Sequence, residues 1–266
     1  MNKTMKKWFI GILRKFHLMK SVDFLRYGLH YIKSKHNHRT ENLPPSYFIY
    51  ETYQLDYDKY LKDGKDTALW LRDYFAKYLT VNNIMAEENK KKTILDWGCG
   101  PGRVIRNMPE LMPDFDIYGA DYNEKYIDWN KQHIQNVKFY KNNLTPPLPF
   151  KEESFDIIYA ISVFTHLSEE NHFAWSQELL RVLKKGGIIF LTLHGDAFKD
   201  KLLKKELQLY DAGKLVVRDS NKEGHRTFAA FQPEKFVRQM FIGNEIVLHE
   251  KAKRKSQQDV WIIRKS

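Results

Sequence analysis

The sequence predicts an α/β fold in which helices cover both faces of a mostly parallel sheet. Short β-rich runs alternate with helical stretches from about residue 93 onward, and the glycine-rich segment Leu95–Gly102 lies between a predicted strand and a predicted helix. This alternation is typical of parallel sheets, because each parallel pair of strands needs a long crossover connection, usually a helix. The 266 residues fit one such domain with appendages.

Five strands and the helices between them are predicted for the core. The strands are Thr93–Trp97, Ile117–Asp121, Val137–Tyr140, Phe155–Ile161 and Gly187–Leu193. The clearest helix is predicted from Glu169 to Lys184, because Ser168 can cap its first turn and Gly186 can end it. A second helical stretch is expected to begin near Arg103.

The segments outside the core complete the predicted organisation. Residues 1–45 form a basic extension that two prolines close, and residues 46–266 form one domain that begins with a helical stretch over 46–92. The core occupies 93–194, and the next segment, 195–240, is predicted to be a lid near the site. The last segment, 241–266, contains two β-rich runs and is predicted to form a terminal hairpin that finishes the sheet.

The positive charge of the chain is concentrated at its start. The formal net charge is +11, and residues 1–40 hold ten Lys and Arg but one acid, so they carry +9 and leave +2 for the rest. A nearly neutral body argues against nucleic acid as a partner of the whole surface. The one cysteine, Cys99, excludes an internal disulfide framework and favours a reducing compartment, so we expect a cytoplasmic protein.

A basic amphipathic helix is predicted within the first residues of the chain. Apolar side chains recur there at helical spacing, at Met5, Trp8, Phe9, Ile12, Leu13 and Phe16. The apolar run is much shorter than the roughly 18 residues that a bilayer-spanning helix needs. Two interpretations fit the pattern: peripheral contact with an anionic membrane, at its inner face, or docking on the protein's own domain or on a partner.

The glycine-rich segment carries the chemical signal. Gly98 and Gly100 let a ligand approach the backbone closely, but a dinucleotide-binding loop would need a further glycine where this chain has Arg103. A carboxylate at Asp96 would repel a pyrophosphate and attract an amino acid's ammonium group. Asp121 ends the second predicted strand, where an acid can accept hydrogen bonds from ribose hydroxyls. The two carboxylates suit an adenosyl ligand with a cationic tail.

The order of these motifs resembles that of the class I S-adenosylmethionine-dependent methyltransferases, particularly the small-molecule type. The resemblance covers roughly residues 67–194 and rests on Asp96–Gly102, on Leu148–Phe150 before Ser154–Asp156, and on Leu180–Gly187. It implies a Rossmann-like, doubly wound, seven-stranded sheet whose last strand is antiparallel. It also implies S-adenosylmethionine as cofactor and a small-molecule or glycan-like methyl acceptor.

The resemblance further assigns the candidate cofactor-binding residues to parts of the ligand. The methionine part would be held by Asp96, Gly98 and Gly100, the ribose and adenine edge by Asp121 and Tyr122, the adenine base by Asn143 and Leu144, and the floor by Ile161. The family often has Asp at position 143. Asn143 can still accept a hydrogen bond through its amide oxygen, and Asn142 offers an alternative register.

His166, just beyond the fourth strand, is the candidate general base. An oxygen or nitrogen nucleophile can require one, and histidine suits this role near neutral pH, but a helix-start histidine that bonds locally is the alternative interpretation. No metal site is expected. Two other functions stay open. One is a non-catalytic protein that keeps the adenosyl site as a sensor or partner subunit, and the other is an NAD-dependent oxidoreductase, which Asp96 and Arg103 disfavour.

We expect that deletion of residues 1–40 weakens binding to anionic vesicles and leaves cofactor affinity nearly unchanged. The deleted segment carries +9 and lies outside the predicted core. The effect should shrink with added salt, because exposed charges are screened within about 10 Å at 0.1 M. Vesicle co-sedimentation of both chains measures this, and equal binding would favour the docked helix.

Overall fold

The computed structural model describes residues 32–38, 42–79, 91–219, 222–254 and 257–266. The predicted amphipathic helix lies outside these ranges, so both interpretations of it stay open. Within the described ranges, no helix combines the length and the apolar character that crossing a bilayer requires. The chain divides into two compact units, Met1–Gly64 and Lys65–Ser266.

The first unit has its own small apolar cluster. Residues 32–37 are helical, and they are followed by α1, Ser46–Thr52, and by the first part of α2, Tyr57–Leu79. Ile49, Tyr57 and Tyr60 are buried together. The Tyr57 hydroxyl donates to the carbonyl oxygen of Pro44 at 2.7 Å. The ring therefore packs in the apolar cluster while its hydroxyl has a hydrogen-bond acceptor. The helical prediction for residues 46–92 is confirmed over these two helices.

A seven-stranded sheet forms the centre of the second unit. Its strands are β1 Lys92–Trp97, β2 Phe115–Asp121, β3 Val137–Lys141, β4 Phe155–Ile161, β5 Leu183–Leu193, β8 Glu245–Glu250 and β9 Asp259–Arg264. They are ordered β3-β2-β1-β4-β5-β9-β8. The first five are parallel, and β9 is antiparallel to both β5 and β8. The predicted mostly parallel sheet and its terminal hairpin are confirmed.

Helices fill the crossovers between these strands. They are α3 Met108–Leu111, α4 Glu124–His133 and α5 Glu169–Val182. The helix expected near Arg103 is wrong in extent: a 3₁₀ turn, Ile105–Asn107, leads into the four-residue α3. Pro109 explains the interruption, because it has no N–H to donate to Ile105 in a continuous helix.

The boundary between α5 and β5 also differs from the prediction. The helix ends at Val182, and residues Leu183 to Gly187 are already part of the strand. Leu183 pairs with Phe155 before a shift in register leads to the pairing of Ile157 with Ile188. The strand is therefore longer than its β-rich run, because Leu183 pairs with β4 and the two glycines form backbone hydrogen bonds with Lys265.

Two apolar clusters cover the two faces of the sheet. Leu95 faces the cluster that includes Trp175 of α5, and its neighbour Ile94 faces the cluster that includes Phe75 of α2. This alternation is the two-residue period of a strand that is buried on both sides. Both faces of β1 are dry, and the end of the strand is therefore where polar chemistry can be placed.

A small second sheet is inserted between β5 and β8. The insertion contains a 3₁₀ segment, Asp196–Lys201, followed by α6 Lys204–Asp211, β6 Val216–Arg218, β7 Ala229–Phe231 and α7 Glu234–Met240. β6 and β7 pair antiparallel as a separate ribbon. The sequence did not predict these strands, because three residues are too few to show a period. Whether residues 195–240 act as a lid stays a prediction.

Asp156 links three strands at the end of the sheet opposite the glycine-rich loop. Its carboxylate accepts from the Thr93 N–H at 2.8 Å and from the Lys184 ammonium at 2.8 Å. Asp156 is only 3% exposed. The amino-terminal ends of β1, β4 and β5 are thus held by one buried charge whose partners are in place.

We expect Asp156→Ala to lower the free energy of unfolding by about 1–3 kcal/mol, because it leaves the Thr93 N–H and hydroxyl without their acceptor. Asp116→Ala is the matched control, because Asp116 starts β2 beside Thr93 but is half-exposed and lies 3.6 Å from Lys138. Its loss should be below about 1 kcal/mol. Urea denaturation measures both, and similar losses would contradict the assignment of Asp156 as the stronger link.

Candidate functional site

The loops after β1 and β2 meet at the carboxyl edge of the sheet, where the candidate residues were expected. The N–H groups of Gly98 and Cys99 both donate to the carbonyl oxygen of Ala120, at 2.8 and 3.1 Å. These two hydrogen bonds fix the loop after β1 to the end of β2. In open α/β sheets this edge is where ligands bind.

Gly98 is required by a close approach from the loop after β4. Its φ is +81°, and a Cβ at this position would lie 2.4 Å from Cγ2 of Val163. Any other residue would meet both a strained backbone and a clash. Gly98 thus lets the loops after β1 and β4 pack directly together, and Val163 is a contributor to the site that the sequence alone did not identify.

Asp121 and Gly100 are brought together as predicted for one site. The Gly100 N–H donates to Oδ2 of Asp121 at 2.9 Å, and the Asn123 N–H donates to Oδ1 at 2.8 Å. Each carboxylate oxygen keeps a further lone pair, so the group can accept two more hydrogen bonds. Burial raises the pKa of Asp121 to about 6, against these two N–H donors, which lower it.

Asp96 is a buried carboxylate near the end of β1. Its Oδ2 accepts from the hydroxyl of Tyr159, its neighbour on β4, at 2.8 Å. Burial raises the pKa of Asp96 to about 7, and the charge of Asp121 also raises it. The hydrogen bond from Tyr159 and the charge of Arg103 act in the opposite direction. A cation placed here would lower this pKa and be bound strongly in return.

Arg103 is a basic residue whose charge lowers the pKa of Asp96. It is half-buried, and its Nη1 donates to Thr67 Oγ1 at 3.4 Å. In the sequence, Arg103 indicated only that the glycine pattern differs from that of a dinucleotide-binding loop. The structure adds that its charge acts on Asp96 and on Tyr159. Asp96 and Arg103 thus place opposite charges on either side of residues 97–102.

The loop after β3 buries the side chain of Asn142 and leaves Asn143 exposed. Asn142 is buried, its N–H donates to the Asp121 carbonyl at 3.1 Å, and its Nδ2 donates to the Asn143 carbonyl at 2.6 Å. The Asn142 Oδ1 is buried and has no hydrogen-bond partner within the described residues. Asn143 is exposed. A buried amide oxygen without a donor is the arrangement expected of a ligand contact, and it lies on the alternative register.

Tyr122 and Leu144 lie beneath the turn of the insertion. The Tyr122 hydroxyl donates to the Gly224 carbonyl at 3.1 Å. A Cβ at Gly224 would lie 2.9 Å from Leu144 Cδ1 and 3.2 Å from Tyr122 Cζ. Two residues expected to contact adenine are therefore within contact of residue 224, which the sequence did not associate with them.

The chain turns sharply after Ile161, which is half-buried at the end of β4. Ser162 has a φ of +63°, a strained value for a residue with a side chain. Its N–H donates to Thr192 Oγ1 at 2.9 Å and its hydroxyl accepts from Gln258 at 2.6 Å. Polar side chains of β5 and of the residue before β9 thus hold the turn that leads to His166.

His166 lies in a 3₁₀ turn and is held by the insertion. Its Nδ1 is 2.8 Å from the carbonyl oxygen of Phe228. A carbonyl only accepts, so Nδ1 carries the hydrogen of the neutral ring and Nε2 carries the lone pair. Burial lowers the pKa of His166 below its ordinary value; the charges of His225 and Arg226 act with burial, and the bond to Phe228 acts against it. The ring is neutral at pH 7 and can accept a proton.

A second histidine, His194, directly follows β5. Its Nδ1 is 2.9 Å from the carbonyl oxygen of Ala230. Burial lowers the pKa of His194 to about 4; the hydrogen bond to Ala230 acts against burial, and the charge of His166 acts with it. The sequence patterns alone did not indicate this residue. Its position directly after a core strand, at the edge that holds His166, was the available signal.

Comparisons with known proteins agree with this geometry. The family described as a methyltransferase domain matches residues 94–187. An uncharacterised methyltransferase of Schizosaccharomyces pombe is 32% identical over 142 residues, 49% of this chain and 50% of that protein. A tRNA N(3)-methylcytidine methyltransferase of the same organism is 28% identical over 172 residues, 58% of this chain and 54% of that protein. The chain spans about half the length of these curated relatives.

The fold itself recurs in solved structures. The crystal structure of magnesium protoporphyrin IX methyltransferase from Synechocystis PCC 6803, with bound S-adenosylhomocysteine, superposes with a TM-score of 0.53 at 18% identity. The match covers 78% of this chain and 86% of that one. Residues 94–187 therefore match a methyltransferase domain, and the strand order and the loop after β1 resemble those of class I S-adenosylmethionine-dependent methyltransferases.

Proposed function

We propose that this protein transfers a methyl group from S-adenosylmethionine to a hydroxyl group of a small-molecule or glycan-like acceptor. The observation that carries the proposal is the pair of buried carboxylates at the ends of β1 and β2. Asp96 has a pKa raised to about 7 and Asp121 one raised to about 6. Buried acids with raised pKa values are characteristic of ligand-binding and catalytic sites.

The residues present fit each part of the cofactor. Asp96 suits the ammonium group of the methionine part, and Arg103 suits its carboxylate. The free lone pairs of Asp121 suit the two ribose hydroxyls, since both of its oxygens are already oriented by backbone N–H groups. The unpartnered Oδ1 of Asn142 suits the adenine amino group, so we assign that contact to Asn142 rather than to Asn143.

The chain's own contribution to transfer is to position the acceptor and accept its proton. The bound cofactor supplies a methyl group on a sulfonium that is already an activated leaving group. Holding an acceptor oxygen in line with that methyl group provides much of the rate. His166 accepts the hydroxyl proton at Nε2, while its Nδ1 donates to Phe228 and fixes the ring. The imidazolium formed then releases the proton to solvent.

Transfer RNA is the second candidate acceptor. The similarity to the tRNA methyltransferase of Schizosaccharomyces pombe favours it, and so does the +9 charge of residues 1–40. The +2 charge of the remaining 226 positions, 266 minus 40, argues against it, because RNA binding depends on basic surface across the site. A non-catalytic adenosyl-binding protein is the third reading, which lack of turnover would favour.

One experiment separates these acceptors. Purified protein is incubated with cofactor labelled in its methyl group and with cell extract separated into RNA, protein, lipid and small-molecule fractions. Label in the small-molecule or glycan fraction is expected. Label in RNA that ribonuclease removes would transfer the proposal to tRNA, and binding of S-adenosylhomocysteine without any labelled product would favour a sensor or partner subunit.

We expect cofactor affinity to fall as the pH is lowered below 7. Only the ionised Asp96 pairs with an ammonium group, and its pKa is raised to about 7. The ionised fraction then falls about fourfold between pH 8 and pH 6.5, and the dissociation constant should rise by about the same factor. Calorimetry with S-adenosylhomocysteine in two buffers of different ionisation enthalpy should also detect proton release on binding.

Asp96→Asn is the decisive variant in that experiment. It should weaken binding roughly 10- to 100-fold, as loss of a charge-assisted hydrogen bond does. It should also remove the pH dependence above pH 6.5. Asp114→Asn, at an exposed turn before β2, is the control and should bind normally. A pH dependence that persists in Asp96→Asn would exclude Asp96 as its source.

We expect His166→Asn to lower turnover by roughly 10²–10⁴-fold, the usual contribution of a general base. Asparagine keeps a donor near the Phe228 carbonyl but has no Nε2. At saturating cofactor, the wild-type rate should fall with acid only below the ordinary histidine pKa of about 6.5, because the pKa of His166 is lowered. The variant should lack that limb of the profile.

His133→Asn is the control for this measurement, because His133 also bonds a carbonyl, that of Trp129, but lies on α4. It should keep the wild-type rate and profile. Normal turnover in His166→Asn, with an unchanged melting temperature, would leave His166 as a residue that only anchors the insertion.

A further inference from the structure

We propose that His194 is a second acceptor-binding residue, and that His166 and His194 together select an acceptor with two neighbouring hydroxyl groups. The vicinal diol of a sugar and that of a catechol share this chemistry. The inference rests on the proposed function and names the substrate class of the same site.

Both rings are held along the edge of β7, where Phe228 directly precedes the strand and Ala230 lies within it. The Phe228 carbonyl binds His166 Nδ1, and two residues later the Ala230 carbonyl binds His194 Nδ1. Alternate residues of an extended strand direct their carbonyls to the same side. The backbone of His194 is bonded to the same edge, since its carbonyl accepts from the Gln232 N–H at 3.0 Å.

This arrangement fixes the chemical state of both Nε2 atoms. Each Nδ1 bonds a carbonyl, so in the neutral ring each Nε2 is an acceptor. Within the described residues neither Nε2 has a hydrogen-bond partner, and both side chains are half-buried rather than enclosed. A third histidine, His172, is different: it is fully buried and its Nε2 lies 3.0 Å from Gln232 Nε2.

The two carbonyls that hold the rings are spaced suitably for a diol. Carbonyls two residues apart in a strand are separated by about 7 Å, two steps of about 3.4 Å. Two hydrogen bonds of about 2.8 Å each, one to each Nε2, leave room between them for two oxygens on adjacent carbons. A single hydroxyl would reach one ring and leave the other Nε2 without a donor.

The two histidines then have different roles in one reaction. The acceptor oxygen forms a bond to the methyl carbon as the sulfonium–methyl bond breaks, and its proton moves to His166 Nε2. The sulfonium keeps the bonding electron pair and becomes a neutral thioether, S-adenosylhomocysteine. The second hydroxyl keeps its proton and donates a hydrogen bond to His194 Nε2, so that it orients the acceptor without itself reacting.

Paired substitutions separate acceptor binding from a structural role of His194. His194→Asn keeps a donor near the Ala230 carbonyl and loses Nε2, whereas His194→Gln places an amide oxygen near Nε2 and loses that donor. We expect His194→Asn to lower kcat/KM for the acceptor at least tenfold, mainly through KM, with normal melting temperature and normal affinity for S-adenosylhomocysteine. His194→Gln should recover part of the loss. The opposite ranking, or a normal kcat/KM in His194→Asn, would overturn the proposal.

Diethyl pyrocarbonate tests the geometry without any acceptor, because it modifies accessible unprotonated imidazoles. Mass spectrometry of the full-length wild-type protein should find modification of His194 and His166 and none of His172. A protected His194 would overturn the proposal, since its Nε2 would then not face an accessible site.

Periodate tests the diol itself, because it cleaves the carbon–carbon bond of a sugar's vicinal diol and oxidises a catechol to a quinone. Extract is treated with periodate, quenched, and then offered to wild-type protein with methyl-labelled cofactor. Labelling should be lost, and separation of untreated product into aqueous and acid-extractable organic fractions tells a sugar from a catechol. Labelling that survives periodate would overturn the diol and leave methyl transfer intact. No labelling of untreated extract would reject the proposed function itself.

Discussion

Two carboxylates buried at one edge of the sheet are the constraint on which the site depends. Asp96 and Asp121 end neighbouring strands, and burial raises the pKa of the first to about 7 and of the second to about 6. These two carboxyl groups therefore bind more protons in the folded protein than in the unfolded chain between about pH 4 and pH 7, and their contribution to stability falls as the pH rises through that range. Tyr159 and the Gly100 N–H offset only part of this effect.

The opposite edge of the same sheet is built differently. There Asp156 has an ammonium, an amide N–H and a hydroxyl for partners, and it ties three strands together. The core between the edges is apolar on both faces. One end of the sheet is thus closed by an ion pair, and the other end carries two buried carboxylates that accept from Tyr159 and from backbone N–H groups. The strands stabilise the fold, and the loops hold the site.

The core and most of its site could be predicted from the sequence, because the signals are local. Asp96, Gly98 and Gly100 follow a β-rich run directly, and Asp121 ends the next one. The remainder depends on contacts between distant segments. His194 gains its meaning only from β7, which has three residues and no visible period. The choice between Asn142 and Asn143 depends on which side chain the β3 turn buries, and Pro109 alone did not reveal how short α3 would be.

The bonds that hold the two histidines have a consequence for how this protein can change over evolution. Phe228 and Ala230 fix the rings through carbonyl oxygens, and every amino acid supplies that atom. Substitutions in the ribbon can therefore reshape the walls around an acceptor without altering the orientation or the tautomer of either ring. In the proposed reaction, drift in acceptor preference would then be separate from loss of the proton acceptor, so related chains would differ in substrate and keep one chemistry.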